Sequence, residues 1–256
     1  MAEYDRRTMS ARAGTTAAID EGLRSYMLKV YNYMGGGLAL TGLVAYFVAA
    51  QAVTSDPTAA VGQLQNGILL TSFGAAIYSG VLQFVIMLSP LAFVLALSFG
   101  INRMQSSTAQ LVFWGFAVAM GLSLSSIFLV YTGTSIGRVF FITAAMFGAM
   151  SLWGYTTHRD LTGMGSFLFM GLIGLIIASI VNIFMASSAV AFGISIIGVL
   201  VFVGLTAYDT QKIKEMYFEG DGAATMSKKA IMGALSLYLD FINLFLMLLR
   251  LFGDRR

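Results

Sequence analysis

The chain has 256 residues, 58% of them hydrophobic and 11% charged, with a net charge of +3 and a mean hydropathy of +0.82. Charge this sparse, against about 25% in soluble proteins, makes the bilayer its solvent: an all-α, polytopic membrane protein is expected. With no cysteine and one histidine, disulfides, thiolate or His-rich metal sites and cysteine nucleophiles are excluded, and no basic stretch is long enough for nucleic acid.

Residues 1–25 read as a polar cytosolic tail. Arg6, Arg7, Arg12 and Arg24 alternate with Asp5, Asp20 and Glu21, and no apolar core precedes Ser25, so a cleavable signal peptide is not expected. Residues 26–253 then form a single transmembrane domain. Its apolar stretches run over 26–50, 80–100, 108–131, 136–157, 164–186 and 189–209, each near the ~20 residues a helix needs to cross the hydrocarbon. Residues 68–79 are apolar but short, and either lie at the interface or extend the second span. Brief connections around Gly133 and Ser187 force antiparallel hairpins. Ala117, Gly121 and Ser125 stand at i, i+4 and i+8, a spacing that lets helix backbones approach closely. Pro90 interrupts the second span's hydrogen bonding, and Trp114 and Trp153 are placed near helix ends, at the headgroup level. Gly35, Gly36 and Gly37 lie inside the first span, without the strand–turn–helix setting of a phosphate loop.

Basic residues orient the chain. Arg6, Arg7, Arg12, Arg24, Lys29, Arg103, Arg159, Lys212, Lys214, Lys228 and Lys229 fall on one side, and only Arg138 on the other before the last segment. The positive-inside rule places the N-terminus in the cytoplasm. The last segment, 231–249, is open to two readings: a seventh full crossing, which puts Arg250, Arg255 and Arg256 outside, or a re-entrant segment after six spans.

That segment has Asp240 at its midpoint, about 13 Å from either end at ~1.5 Å per residue, too deep for a short side chain to reach water. An ionisable group there costs about 2.5–3.5 kcal/mol even on the lenient insertion scale, and is functional by default. Within ~60° of its direction on a helix stand Gly233, Ser236, Asn243 and Met247. Asp209, at the end of the sixth span, shares its face with Thr206, Gly198 and Ser195. Two such stripes facing one another make a narrow polar seam. Two carboxylates a few ångströms apart in low dielectric cannot both ionise cheaply, so they share a proton and form a pH sensor without histidine. A transient calcium ion on a permeation path fits such a pair better than a tight site, because calcium takes ~6–8 oxygen ligands.

VFVGLTAYDTQKIK and ALSLYLDFINLFLMLLRLFG closely resemble the two signature stretches of the Bax inhibitor family, its bacterial branch in particular. The resemblance implies seven helices, with the last central and wrapped by two three-helix layers. It implies a pH-dependent calcium leak, in which a hydrogen-bonded aspartate pair, matching Asp209 and Asp240, senses pH. It implies a latching arginine near the end of the second helix, where Arg103 stands. An acidic residue found within the second helix of some members has no counterpart here. Some bacterial members instead modulate a membrane-bound quality-control protease, so a non-conducting interaction protein is the alternative, with 1–24 and 210–230 as contacts. An intramembrane aspartyl protease is disfavoured: Tyr208–Asp209 matches one of its motifs, but LYLD lacks the Gly-x-Gly lead-in and no Pro-Ala-Leu occurs. The expectation is therefore not an enzyme, with no cofactor, and with lipid, protons and calcium as partners in a bacterial inner membrane.

Overall fold

A computed structural model describes the backbone of residues 2–64 and 67–256, and side chains from residue 21 onward with 65 and 66 excepted. The polar character expected of the tail before residue 21 thus lies outside the described residues. Helices dominate: α1 (Ala2–Ala52), α2 (Ser72–Tyr78), α3 (Gly80–Gly100), α4 (Ser106–Leu124), α5 (Ile127–Val130), α6 (Gly133–Thr156), α7 (Thr162–Met185), α8 (Ser188–Glu215) and α9 (Ala223–Phe252). Among the described residues, seven segments are long and apolar enough to cross a membrane, α4 and α5 forming one and Glu21–Ala52 of α1 another. The last is an unbroken helix of 30 residues, about 45 Å long at 1.5 Å per residue. It is long enough to cross fully and lacks the break that a re-entrant segment needs, so the re-entrant reading is set aside.

The helices form two layers of three. In one, α4 lies between α1 and α3; in the other, α8 lies between α6 and α7. Helix α9 runs between the layers and touches α1, α3, α4, α6 and α8. Its apolar window is 67% buried, against 6% for α7 and 11% for α3, whose Phe184 and Phe99 face outward, as lipid-contacting helices require. Aromatic edges join α9 to both layers. Phe241 meets Phe140 and Phe147 of α6, each at 5.5 Å between ring centroids. Tyr238 packs edge-on to Phe116 of α4 at 4.9 Å, and its hydroxyl hydrogen-bonds Thr41 of α1 at 2.7 Å.

Small residues set the close crossings. Ala117, Gly121 and Ser125 are buried, and a Cβ on Gly121 would lie 2.8 Å from the Thr41 carbonyl oxygen, so this stripe is the α1–α4 contact. Gly154 of α6 is tighter still, with a Cβ there falling 2.2 Å from the carbonyl oxygen of Ala207 in α8. In α3, Pro90 has no N–H to give the Ile86 carbonyl; the Ser89 hydroxyl donates to that oxygen instead, at 2.9 Å.

Three features depart from the sequence reading. Residues 53–70 contain a small antiparallel sheet, β1 (Val53–Thr54), β2 (Gly62–Gln63) and β3 (Leu69–Leu70), in the order β1-β3-β2. The apolar 68–79 stretch supplies β3 and the separate helix α2 rather than an extension of the second span, because Gly80, at φ +67°, breaks the chain between α2 and α3. Trp114 is not a headgroup anchor. It sits well inside α4, over Gly36 and beside Tyr33, where a missing side chain on α1 makes room for the indole.

Beyond α9 the chain pairs with the α5–α6 connection. Thr132 N–H donates to Asp254 O (3.0 Å) and Arg256 N–H to Val130 O (2.9 Å), and Asp254 N–H donates to the Ser135 hydroxyl (2.8 Å). The C-terminus is therefore on the face of that connection, across seven spans from the start of α1. Arg138 and Asp254 approach at 3.9 Å with both side chains mostly exposed, a pair worth little by itself.

The close α6–α8 crossing predicts that Gly154→Ala, by pressing a methyl into backbone, destabilises the protein by about 1–3 kcal/mol and lowers its Tm in detergent. Gly148→Ala on the same helix, where a Cβ meets nothing within 4 Å, should leave Tm unchanged.

Candidate functional site

The layers part on one flank, between α3 and α7, and leave a cleft of about 1430 Å³ floored by α8 and α9. Along α7 its lining runs from Gly165 to Ile183, about 27 Å at 1.5 Å per residue and close to the ~30 Å of hydrocarbon. Its walls are mostly apolar, as with Leu91, Val94, Phe169 and Ile176, and its polar groups gather on α8 and α9.

Helix α9 is buried nearly all round. Its less buried stripe, Ser236, Leu239, Asn243, Met247 and Arg250, recurs at three and four residues and lines the cleft together with Asp240. Asp240 is only 6% exposed. From α8, Asp209 reaches the same floor, half-buried. The two carboxyl groups lie close enough to interact, and the buried Oδ2 of Asp240 has no hydrogen-bond partner among the described residues. Carboxyl oxygens bond to each other only through a proton. The charge of Lys212 also acts on Asp209, with its Nζ 5.9 Å from the Tyr208 ring centroid. Lys212 and Arg250 line opposite ends of the cleft.

Of the residues singled out from sequence, Asp209, Asp240, Ser236 and Asn243 come together here. Asn243 Nδ2 donates to Leu239 O at 2.8 Å, which leaves its Oδ1 as an acceptor. Thr206 and Ser195 do not join them. Each is buried and gives its hydroxyl to its own helix, Thr206 to Phe202 O (2.7 Å) and Ser195 to Ala191 O (2.9 Å). The cleft wall of α8 is made by Phe202 and Leu205, which at i−7 and i−4 lie nearer the direction of Asp209 than Thr206 at i−3 does. Polarity was the wrong guide to that face. Arg103 does not reach the pair; it is exposed in the turn after α3 and makes no ion pair among the described residues. Sequence reasoning missed Lys212 and Arg250 as lining residues, although Arg250 stands seven residues after Asn243, on the same helical face.

Nor do the described residues bring three or more acidic or histidine side chains together. A calcium ion at the pair would take the two carboxylates, with Ser236 and Asn243 as the neighbouring oxygen donors. That donor set suits a passing ion more than a resident one.

The family model described as inhibitor of apoptosis-promoting Bax1 matches residues 23–256. The chain belongs to the Bax inhibitor family. Among its relatives is the inner membrane protein YbhL of Escherichia coli strain K12, 46% identical over 92% of this chain and 94% of that one. An uncharacterized protein of Rickettsia prowazekii is 51% identical over 93% of this chain and 92% of its own. An uncharacterized membrane protein of Streptococcus pyogenes is 36% identical over 91% and 94%. The chain is thus a Bax inhibitor family membrane protein, and the family match takes in both aspartates and all seven spans.

Because the chain has no cysteines, single-cysteine variants test the floor of the cleft directly. Cysteines at Ser236 and Asn243 should react with a small water-soluble thiol reagent about tenfold faster than cysteines at Thr206 and Ser195, whose side chains are shut in by packing.

Proposed function

We propose that the protein is a pH-sensitive calcium leak pathway of a bacterial inner membrane, gated by the Asp209–Asp240 pair. The observation that carries this reading is a buried carboxyl midway along a membrane-length helix with a second one beside it, on the floor of a cleft nearly as long as the hydrocarbon is thick. With one proton between them, the carboxyls tie α8 to α9. When the proton leaves, two like charges in low dielectric repel, the helices loosen, and the pair offers a cation its oxygens. Ligation by two carboxylates and a few neutral oxygens is weak enough for the ion to leave, which conduction needs.

The N-terminus is assigned to the cytoplasm. Eleven of the chain's fifteen basic residues lie on its side, and Arg138, Arg250, Arg255 and Arg256 on the other. This count keeps its bias even with a fully crossing α9, and an impermeant thiol label reaching Arg256→Cys in intact cells checks it. The inner-membrane location is supported by the name of the Escherichia coli relative.

The test is calcium flux through purified protein in liposomes over about pH 5 to 9. Flux should rise with pH as the shared proton is lost. Asp240→Asn, whose amide donates to Asp209 at every pH, should hold flux at the low-pH level throughout. Wild-type protein that passes no calcium at any pH would sink the proposal and favour a non-conducting partner of a membrane protease, dependent on residues 1–24.

A further inference from the structure

The layers part on the opposite flank too, between α1 and α6, leaving a second groove of about 670 Å³. It has none of the acidic character of the aspartate cleft. Met34, Phe147 and Leu152 are among its walls, and Gly35 and Gly148 line it from the two helices. A Cβ on either glycine would meet nothing within 4 Å, so the absence of side chains there keeps space open rather than allowing a close crossing. Tyr31, Ser151 and Tyr155 carry the hydroxyls on the wall, Tyr155 at the Arg24 end, and the first two are satisfied: Tyr31 bonds Ser151 at 2.7 Å, and Ser151 bonds Thr210 at 2.9 Å. Between the two glycines the groove therefore offers an acyl chain hydroxyls that already have partners.

Its depth is that of one leaflet. From Arg24 to Gly35 along α1 is about 17 Å at 1.5 Å per residue, against ~15 Å for half the hydrocarbon core. The headgroup end is basic. Arg24 is exposed there, and neither Glu21 nor any other acid forms an ion pair with it among the described residues. Lys214 reaches the same end, donating to the carbonyl oxygen of Tyr155 at 2.9 Å with its Nζ 5.3 Å from that ring's centroid.

We propose that this groove binds an anionic phospholipid from the leaflet on the Arg24 side, with one acyl chain between Gly35 and Gly148 and the phosphate at Arg24. Basic pockets between transmembrane helices at headgroup level take such lipids by the same charge pairing. The proposal stands apart from calcium conduction: it uses neither aspartate.

The test is native mass spectrometry of the purified full-length protein, offered dioleoyl phosphatidylglycerol or dioleoyl phosphatidylcholine in detergent. Wild-type protein should retain one phosphatidylglycerol, with a preference over phosphatidylcholine of about fivefold. Arg24→Gln should erase the preference. Gly148→Leu should fill the groove and lose the retained lipid while Tm stays at the wild-type value, which separates blocked binding from misfolding. Equal retention of the two lipids by wild type, or wild-type retention by Gly148→Leu, would overturn the proposal. Displacement of the lipid by inorganic phosphate alone would overturn it as well, because the acyl chain would then contribute nothing.

Discussion

A carboxyl group held at the middle of a membrane helix is the constraint on which the rest of this structure turns. Asp240 cannot reach either headgroup region, and leaving it on a lipid-facing helix would cost several kcal/mol. The fold meets this by packing α9 between the two layers, the most buried of the seven spans among the described residues. Six spans surround it, and the greasy exterior belongs to α3 and α7 instead. Its apolar sides are spent on helix–helix packing, with Tyr238 and Phe241 binding opposite layers. The remaining stripe, with Asp240 in it, faces the cleft. Burial of α9 and the polarity of that stripe are thus one arrangement.

The two-layer plan also gives each flank of the bundle its own character. Both flanks are places where the outer helices of the layers fail to meet across α9. Between α3 and α7 the gap exposes α8 and α9, and hence the aspartates. Between α1 and α6 it exposes glycines and aliphatic side chains, with a basic rim. Backbone contacts such as Gly154 against Ala207 hold neighbouring helices of one layer close together. The C-terminal residues, paired to the α5–α6 connection, anchor one end of the central helix to the outer framework.

Much of this was legible in the sequence where one physical effect dominates. Span lengths follow hydropathy, the depth of Asp240 follows from helix rise, and the Ala117–Gly121–Ser125 stripe marks the α1–α4 contact because only small residues admit a backbone. Ser236 and Asn243 were legible because α9 is apolar elsewhere. The α8 face was not, since Thr206 and Ser195 satisfy their hydroxyls within the helix and can turn toward packed neighbours as readily as toward a cleft. Trp114 was misplaced because an indole serves as well over a glycine as at a headgroup. The short strands at 53–70 were invisible because two-residue pairings carry no periodicity. The Asp209–Asp240 contact joins residues on separate helices, and helical geometry within one helix says nothing about it; resemblance supplied that pairing, and the packing of α8 on α9 brings the groups together.

The central claim, that Asp209 and Asp240 share a proton at mid-membrane, is tested most directly by infrared difference spectroscopy of the purified protein in lipid across a pH titration. A shared proton should give a carbonyl-stretch band of a buried protonated carboxyl that is lost as the pH rises. Asp209→Asn or Asp240→Asn should abolish or displace that band. A spectrum in which both groups remain ionised carboxylates from acid to alkaline pH, or a band unmoved by either substitution, would contradict it.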